Sequence, residues 1–147
     1  MNNNINTDNI LLNTILEWSK KHTDLIKLEI DDKDYYSITT TPMNQNACSM
    51  IFSETLEENK FDLCLGKKMI FERLKADKEY ILDICESVFN GKVTELVWEW
   101  HGNTIKSRGQ IDLKTGPLTS SYADLFKCFL VWGKTPRLIK YQKYNEN

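Results

Sequence analysis

The sequence predicts an α+β domain in which an antiparallel sheet, a meander followed by a hairpin, packs with about three helices. Three observations carry this. Short runs of alternating apolar residues succeed one another between positions 25 and 74. Stretches 8–23 and 77–91 instead repeat their apolar residues with helical period. Residues 93–113 divide around Gly102-Asn103 into two strand-like halves.

The elements follow in order. Residues 1–7 are Asn-rich and are expected to be disordered, which leaves 8–147 as a single domain. Thr7 or Asp8 caps a first helix whose stripe is Leu11, Ile15, Trp18 and His22, widened by Leu12 and Leu16. Ile26, Leu28 and Ile30 share one face of a strand that ends in the turn cluster Asp31-Asp32-Lys33-Asp34. Tyr35–Thr41 suits a pleated, half-buried surface, and Pro42–Asn46 breaks it. Cys48, Met50 and Phe52 alternate next, then Phe61, Leu63 and Leu65, with the acidic loop 54–59 between them. Residues 67–75 read either as a further strand or as a helical lead-in.

Asp77 caps a second helix with the stripe Tyr80, Ile81, Ile84, Cys85, Val88 and Phe89, stopped by Asn90-Gly91. In the hairpin, a two-residue loop Gly102-Asn103 sets Trp98 opposite Ser107 and Trp100 opposite Ile105. Leu96, Trp98 and Trp100 then share a core face with Ile105, Ser107, Gly109, Ile111 and Leu113. Glu95, Val97, Glu99 and His101 face solvent, with Glu99 across from Lys106. Lys114–Pro117 is a turn. Ser121 caps a third helix with the stripe Tyr122, Leu125, Phe126, Phe129 and Leu130, and Arg137–Tyr144 is a last strand.

Composition narrows the function. The formal net charge of −2 argues against a broadly basic, phosphate-neutralising surface. The four cysteines form no C-x-x-C pair, and the polar opening Met1-Asn2-Asn3-Asn4 does not read as a secretory leader, so a cytoplasmic chain with reduced thiols is expected. The longest apolar run, Cys128 to Trp132, is far short of a membrane span, so no membrane partner is expected.

Catalytic patterns are sparse. His22 and His101 lack the spacing of a metal pair. Glu95 and Glu99 on one strand stand about 13 Å apart, wider than the roughly 5–9.5 Å of a working carboxylate pair. Cys64, Cys85 and Cys128 sit among apolar neighbours, and nothing in the sequence ties Cys48 to His101. No Gly-rich phosphate loop is present. No catalytic residue, metal ligand or cofactor is therefore assigned.

Two charge patterns bear on partners. Asp31, Asp32 and Asp34 form one acidic cluster and Glu54, Glu57 and Glu58 another. With Glu95, Glu99 and His101 they are the candidate partner-binding residues. Lys134, Arg137, Lys140 and Lys143, interleaved with Tyr141 and Tyr144, offer a grip on single-stranded nucleic acid. Lysines guarding an edge strand explain the same pattern and are preferred.

Core residues are plentiful and chemical motifs few, which favours a non-catalytic protein-binding module. The layout (small, acidic, α+β) resembles small bacterial immunity proteins that neutralise a cognate toxin by direct binding. The resemblance spans the chain as an architecture and rests on no motif. It implies a heterodimer with a toxin domain and assigns no residue. The alternatives are a small enzyme with a site assembled from scattered residues and a nucleic-acid-binding accessory protein.

Overall fold

The computed structural model describes residues 9–33 and 36–146. The N-terminal stretch expected to be disordered and Asp34 of the first acidic cluster lie outside them. Helix α1 (Ile10–Lys20) buries Leu11, Leu12, Ile15 and Trp18 as the stripe predicts. Its cap is Asn9 rather than Thr7 or Asp8: the Asn9 side chain accepts from the backbone N–H of Leu12 at 3.0 Å.

Five strands then form an antiparallel meander in sequence order: β1 (Ile26–Asp31), β2 (Ser37–Pro42), β3 (Met50–Glu54), β4 (Lys60–Leu65) and β5 (Met69–Lys75). The core face is set by alternation. Ile38, Met50, Phe52, Phe61, Leu63, Met69 and Phe71 are all buried. Residues 69–75 are thus a strand, with Met69 and Phe71 on the core side. Helix α2 (Lys78–Phe89) starts at Asp77, whose carboxylate accepts from the N–H of Tyr80 at 3.1 Å. The helices meet where the Trp18 indole N–H donates to Glu86 at 2.9 Å and His22 stacks on Phe89 at 4.2 Å.

A second antiparallel sheet comprises β6 (Val93–Trp100), β7 (Asn103–Leu113), β8 (Gly116–Ala123) and β9 (Arg137–Lys140), in the order β8-β7-β6-β9. Residues of both sheets and both helices share one hydrophobic core.

The third helix is not present. Its would-be first turn is strand: β8 runs to Ala123 and pairs with β7 along its whole length. Ladder pairing with β7 outweighs the helical spacing of the apolar residues, and only a four-residue 3₁₀ turn, Cys128–Val131, remains. Among the described residues, no helix is long and apolar enough to cross a membrane.

Candidate functional site

The β6–β7 hairpin organises the surface. Its loop is His101-Gly102, one residue earlier than expected, with φ of 49° and 80°. Two successive positive values are the signature of a type I′ turn, whose twist suits a hairpin. Trp100 therefore pairs with Asn103 and Glu99 with Thr104, and the register then shifts by one so that Trp98 lies beside Lys106. The extra residue is Ile105, a β-bulge.

This register reverses the expected faces of β6. Val93, Glu95 and Val97 point inward, and Trp98 pairs with the outward Lys106. The space beneath Gly109 on the core face is filled by Met69, whose Sδ would lie 2.1 Å from a Cβ at that position.

Glu95, expected on a solvated face, is 0% exposed. Its Oε1 accepts from the Lys67 N–H at 2.9 Å and the Tyr141 hydroxyl at 2.8 Å. Its Oε2 accepts from the Lys68 N–H at 3.0 Å and the Ser107 hydroxyl at 2.6 Å. Four donors fill the four lone-pair sites of a carboxylate, so Glu95 has no capacity left for a partner or a substrate. It joins β6 to the β4–β5 turn and the C-terminal stretch. Gly66 makes that turn possible: its φ is +56°, and a Cβ there would lie 2.4 Å from the Tyr141 hydroxyl.

The remaining predicted residues divide. Asp31 stands across from Ser37, and Ser37 from Ser53, so β1, β2 and β3 deliver Asp31, Asp32 and Glu54 to one end of the first sheet. Tyr36 lies among them, its phenol pushed up by burial and then by Asp32 and Glu54. Glu57 and Glu58 occupy the neighbouring β3–β4 loop, where Glu57 pairs with Arg73 at 3.6 Å. Glu99 is not across from Lys106; it pairs with Arg137 at 2.9 Å. His101 is exposed at the hairpin tip.

Of the four basic candidates, Arg137 and Lys140 lie on β9, an edge strand as expected. Lys134 stands just before it, its Nζ 4.0 Å from the Trp100 ring centroid. Lys143 does not join them. Its carbonyl accepts from Asn44 at 2.9 Å, and its N–H lies against the Gly91 turn. Lys106 and Arg108 take its place, with the Lys106 Nζ 4.7 Å over the Trp98 ring. Thr94, Leu96, Arg108, Gln110, Thr119 and Ser121 belong to the lining of a shallow hollow of about 540 Å³ on this face.

Between β8 and β9 lies the segment missed by sequence reasoning. Leu125 is 85% exposed, Phe126 91%, Phe129 68% and Trp132 87%, while Val131 turns inward. The sequence marks these residues as apolar and closely spaced. What it hides is that no long helix forms to bury them. The Trp98 indole N–H donates to the Lys134 carbonyl at 3.1 Å, which ties the end of this segment to the hairpin.

Cys48 and His101 are not brought together. Cys48 is buried in the core cluster, and burial pushes its thiol up to about 12. It is a protonated thiol at neutral pH, not a nucleophile. Among the described residues no group of three or more His, Cys, Asp or Glu side chains is placed to hold a metal ion. Compared with family models, with curated proteins and with solved structures, the chain matches none.

Proposed function

We propose that this chain is a non-catalytic protein-binding module whose principal contact is the segment Leu125–Trp132. The observation that carries the reading is the exposure of Leu125, Phe126, Phe129 and Trp132 within eight residues of chain. Large apolar side chains standing together in solvent mark interaction surfaces, and Trp is among the residues that dominate binding energy when a partner buries them. Glu95 supports the same reading from the other side. The carboxylate with the most elaborate surroundings in the domain is committed to holding the fold together.

In its specific form, the partner is a toxin domain and binding neutralises it. The small acidic α+β architecture supports this by resemblance, and the gathering of Asp31, Asp32 and Glu54 adds a second charged surface to the molecule.

The test is affinity capture from the native host, washed at low and then high salt, with the wild-type chain beside Phe126→Ala/Trp132→Ala. One stoichiometric protein should survive high salt on the wild type and be lost from the variant. Loss of its activity on titration with the wild type would identify it as a toxin. Retention unchanged in the variant, or no stoichiometric protein, would refute the reading.

A further inference from the structure

Each sheet has two edge strands, and three of the four are guarded against pairing with another chain. β5 is interrupted by a register shift opposite β4 and by Arg73 at φ 54°. β8 carries Pro117, and the charges of β9 are cations alone, Arg137 and Lys140. β1 has no bulge and no proline, and its charges are of both signs. The Met43 N–H donates to the Leu25 carbonyl at 2.9 Å, which sets the alternation of the β1–β2 ladder. Lys27, Glu29 and Asp31 therefore turn their backbone groups to β2, and Ile26, Leu28 and Ile30 turn theirs to the open edge. Pro42 agrees with this alternation: it stands across from Ile26, where the ladder calls for no N–H.

We infer that this edge pairs antiparallel with the same edge of a second copy of the chain, about a two-fold axis at Leu28. The run Ile26-Lys27-Leu28-Glu29-Ile30 complements itself in that arrangement. Leu28 meets Leu28 of the second copy, Ile26 meets Ile30, and Lys27 meets Glu29. The outward backbone groups of Ile26, Leu28 and Ile30 fall opposite one another, as an antiparallel ladder requires. Lys27 and Glu29 already lie 2.7 Å apart on the exposed face of their own strand, so an exchange of partners across the axis keeps every charge matched. On the other face Ile30 is 44% exposed and Leu28 half-buried, and pairing would cover both.

Other registers are disfavoured by charge. An axis at Lys27 or at Glu29 sets that residue against its own copy, and an axis at Ile30 sets Lys27 against Lys33 and Glu29 against Asp31. The match about Leu28 ends beyond Ile30, since Asp32 would face Asp24, so the ladder runs from Ile26 to Ile30 on each copy. It joins the two five-stranded sheets into one. The Leu125–Trp132 segment belongs to the other sheet, between β8 and β9, and is a separate surface.

The experiment is sedimentation velocity of the full chain from about 1 to about 100 µM, the range in which a small interface associates. A concentration-dependent dimer should appear. Lys27→Glu alone and Glu29→Lys alone should each weaken it more than about tenfold, because like charges then face each other at two places across the axis. An equimolar mixture of those two variants should restore the dimer, since opposite charges meet again, and Lys27→Glu/Glu29→Lys in one chain should do the same. Both side chains are exposed, and near-ultraviolet circular dichroism checks that the fold is kept. Phe126→Ala/Trp132→Ala should leave the dimer unchanged. A monomer throughout the range, a dimer indifferent to the single charge changes, or a mixture that stays monomeric would overturn the inference. Loss of the dimer in Phe126→Ala/Trp132→Ala would place self-association on the aromatic segment instead, and would overturn it equally.

Discussion

The Tyr141 hydroxyl donates to Glu95 Oε1 at 2.8 Å, a bond that ties the residue following β9 to the strand beside it. Burial is the first reason that the Tyr141 phenol is pushed far above its ordinary value, with the nearby Cys48 and Glu95 adding to it. A protonated donor facing a carboxylate is thereby secured. Glu95→Ala should strip four donors of their acceptor at once. Unsatisfied buried donors cost about 1–3 kcal/mol each before relaxation, so a loss of about 3 kcal/mol or more is expected in urea denaturation. A loss under about 1 kcal/mol would mean that water replaces the carboxylate.

Gly109 and Met69 make a second close fit. A Cβ on Gly109 would stand 2.1 Å from Met69 Sδ and 2.2 Å from its Cγ. Met69 is fully buried, so the thioether has little room to retreat. Gly109→Ala should cost about 1–3 kcal/mol by overpacking. Combined with Met69→Ala it should cost less than the sum of the two single changes, because the clash disappears with the side chain. Additive costs in a double-mutant cycle would show that the two do not interact.

Stability should fall at alkaline pH. Cys48 is raised from 9.0 to about 12 by burial, and Cys85, Tyr141 and Tyr144 are raised for the same first reason. In the unfolded chain these groups lose their protons first. Their contribution is therefore complete below the ordinary thiol range and is lost as pH climbs from 9.0 towards about 12. Urea midpoints measured at about pH 8 and about pH 10.5 should differ in that direction. Ellman's reagent should reach Cys64 and Cys128 in the native state, and Cys48 and Cys85 only after unfolding.

The hairpin register is open to direct cross-linking. With Cys64 and Cys128 changed to serine, Trp98→Cys/Lys106→Cys should oxidise readily, since the two positions are paired. Trp98→Cys/Ser107→Cys should not, because Ser107 points to the opposite face. Equal oxidation of both pairs would mean that the bulge at Ile105 is not fixed.

Phe126→Ser and Trp132→Ser should change folding stability by no more than about 0.5 kcal/mol, as surface substitutions do. Both side chains project into solvent. A larger destabilisation in thermal melts would place them in the core, and the binding surface would vanish with that result.

Alternation and caps carried much of the fold in the sequence. The strands from Ile26 to Leu65 were legible because each puts its apolar residues on one face, whereas 69–75 read equally as strand or helix; Asp77 marked α2 through its side-chain acceptor. The hairpin was legible as a hairpin, but its faces were not. Trp98 and Trp100 outrank Glu95 in apolarity, and the donors of Lys67, Lys68, Ser107 and Tyr141, brought together from separate parts of the chain, make burial of a carboxylate favourable. The Leu125–Trp132 segment misled for the converse reason. Its residues have helical spacing, but β8 keeps the preceding chain extended to Ala123. Of the candidate residues, Arg137 and Lys140 lie on one edge strand, whereas the approach of Lys106 to Trp98 comes through strand pairing that local sequence does not display.

The order β8-β7-β6-β9 also has a consequence in time. During synthesis the meander, both helices and the hairpin leave the ribosome before β9 does. Until Tyr141 follows, β6 is an open edge, and one of the four donors to Glu95 has not been made. The same closing stretch bonds back to the first sheet's connections, with the Gln142 N–H donating to the Asn46 carbonyl at 3.0 Å and the Tyr144 hydroxyl to the Cys48 carbonyl. Residues 141–144 thus act as a clasp between the two sheets, and it can close only after β6 and the β2–β3 connection that it joins have been made.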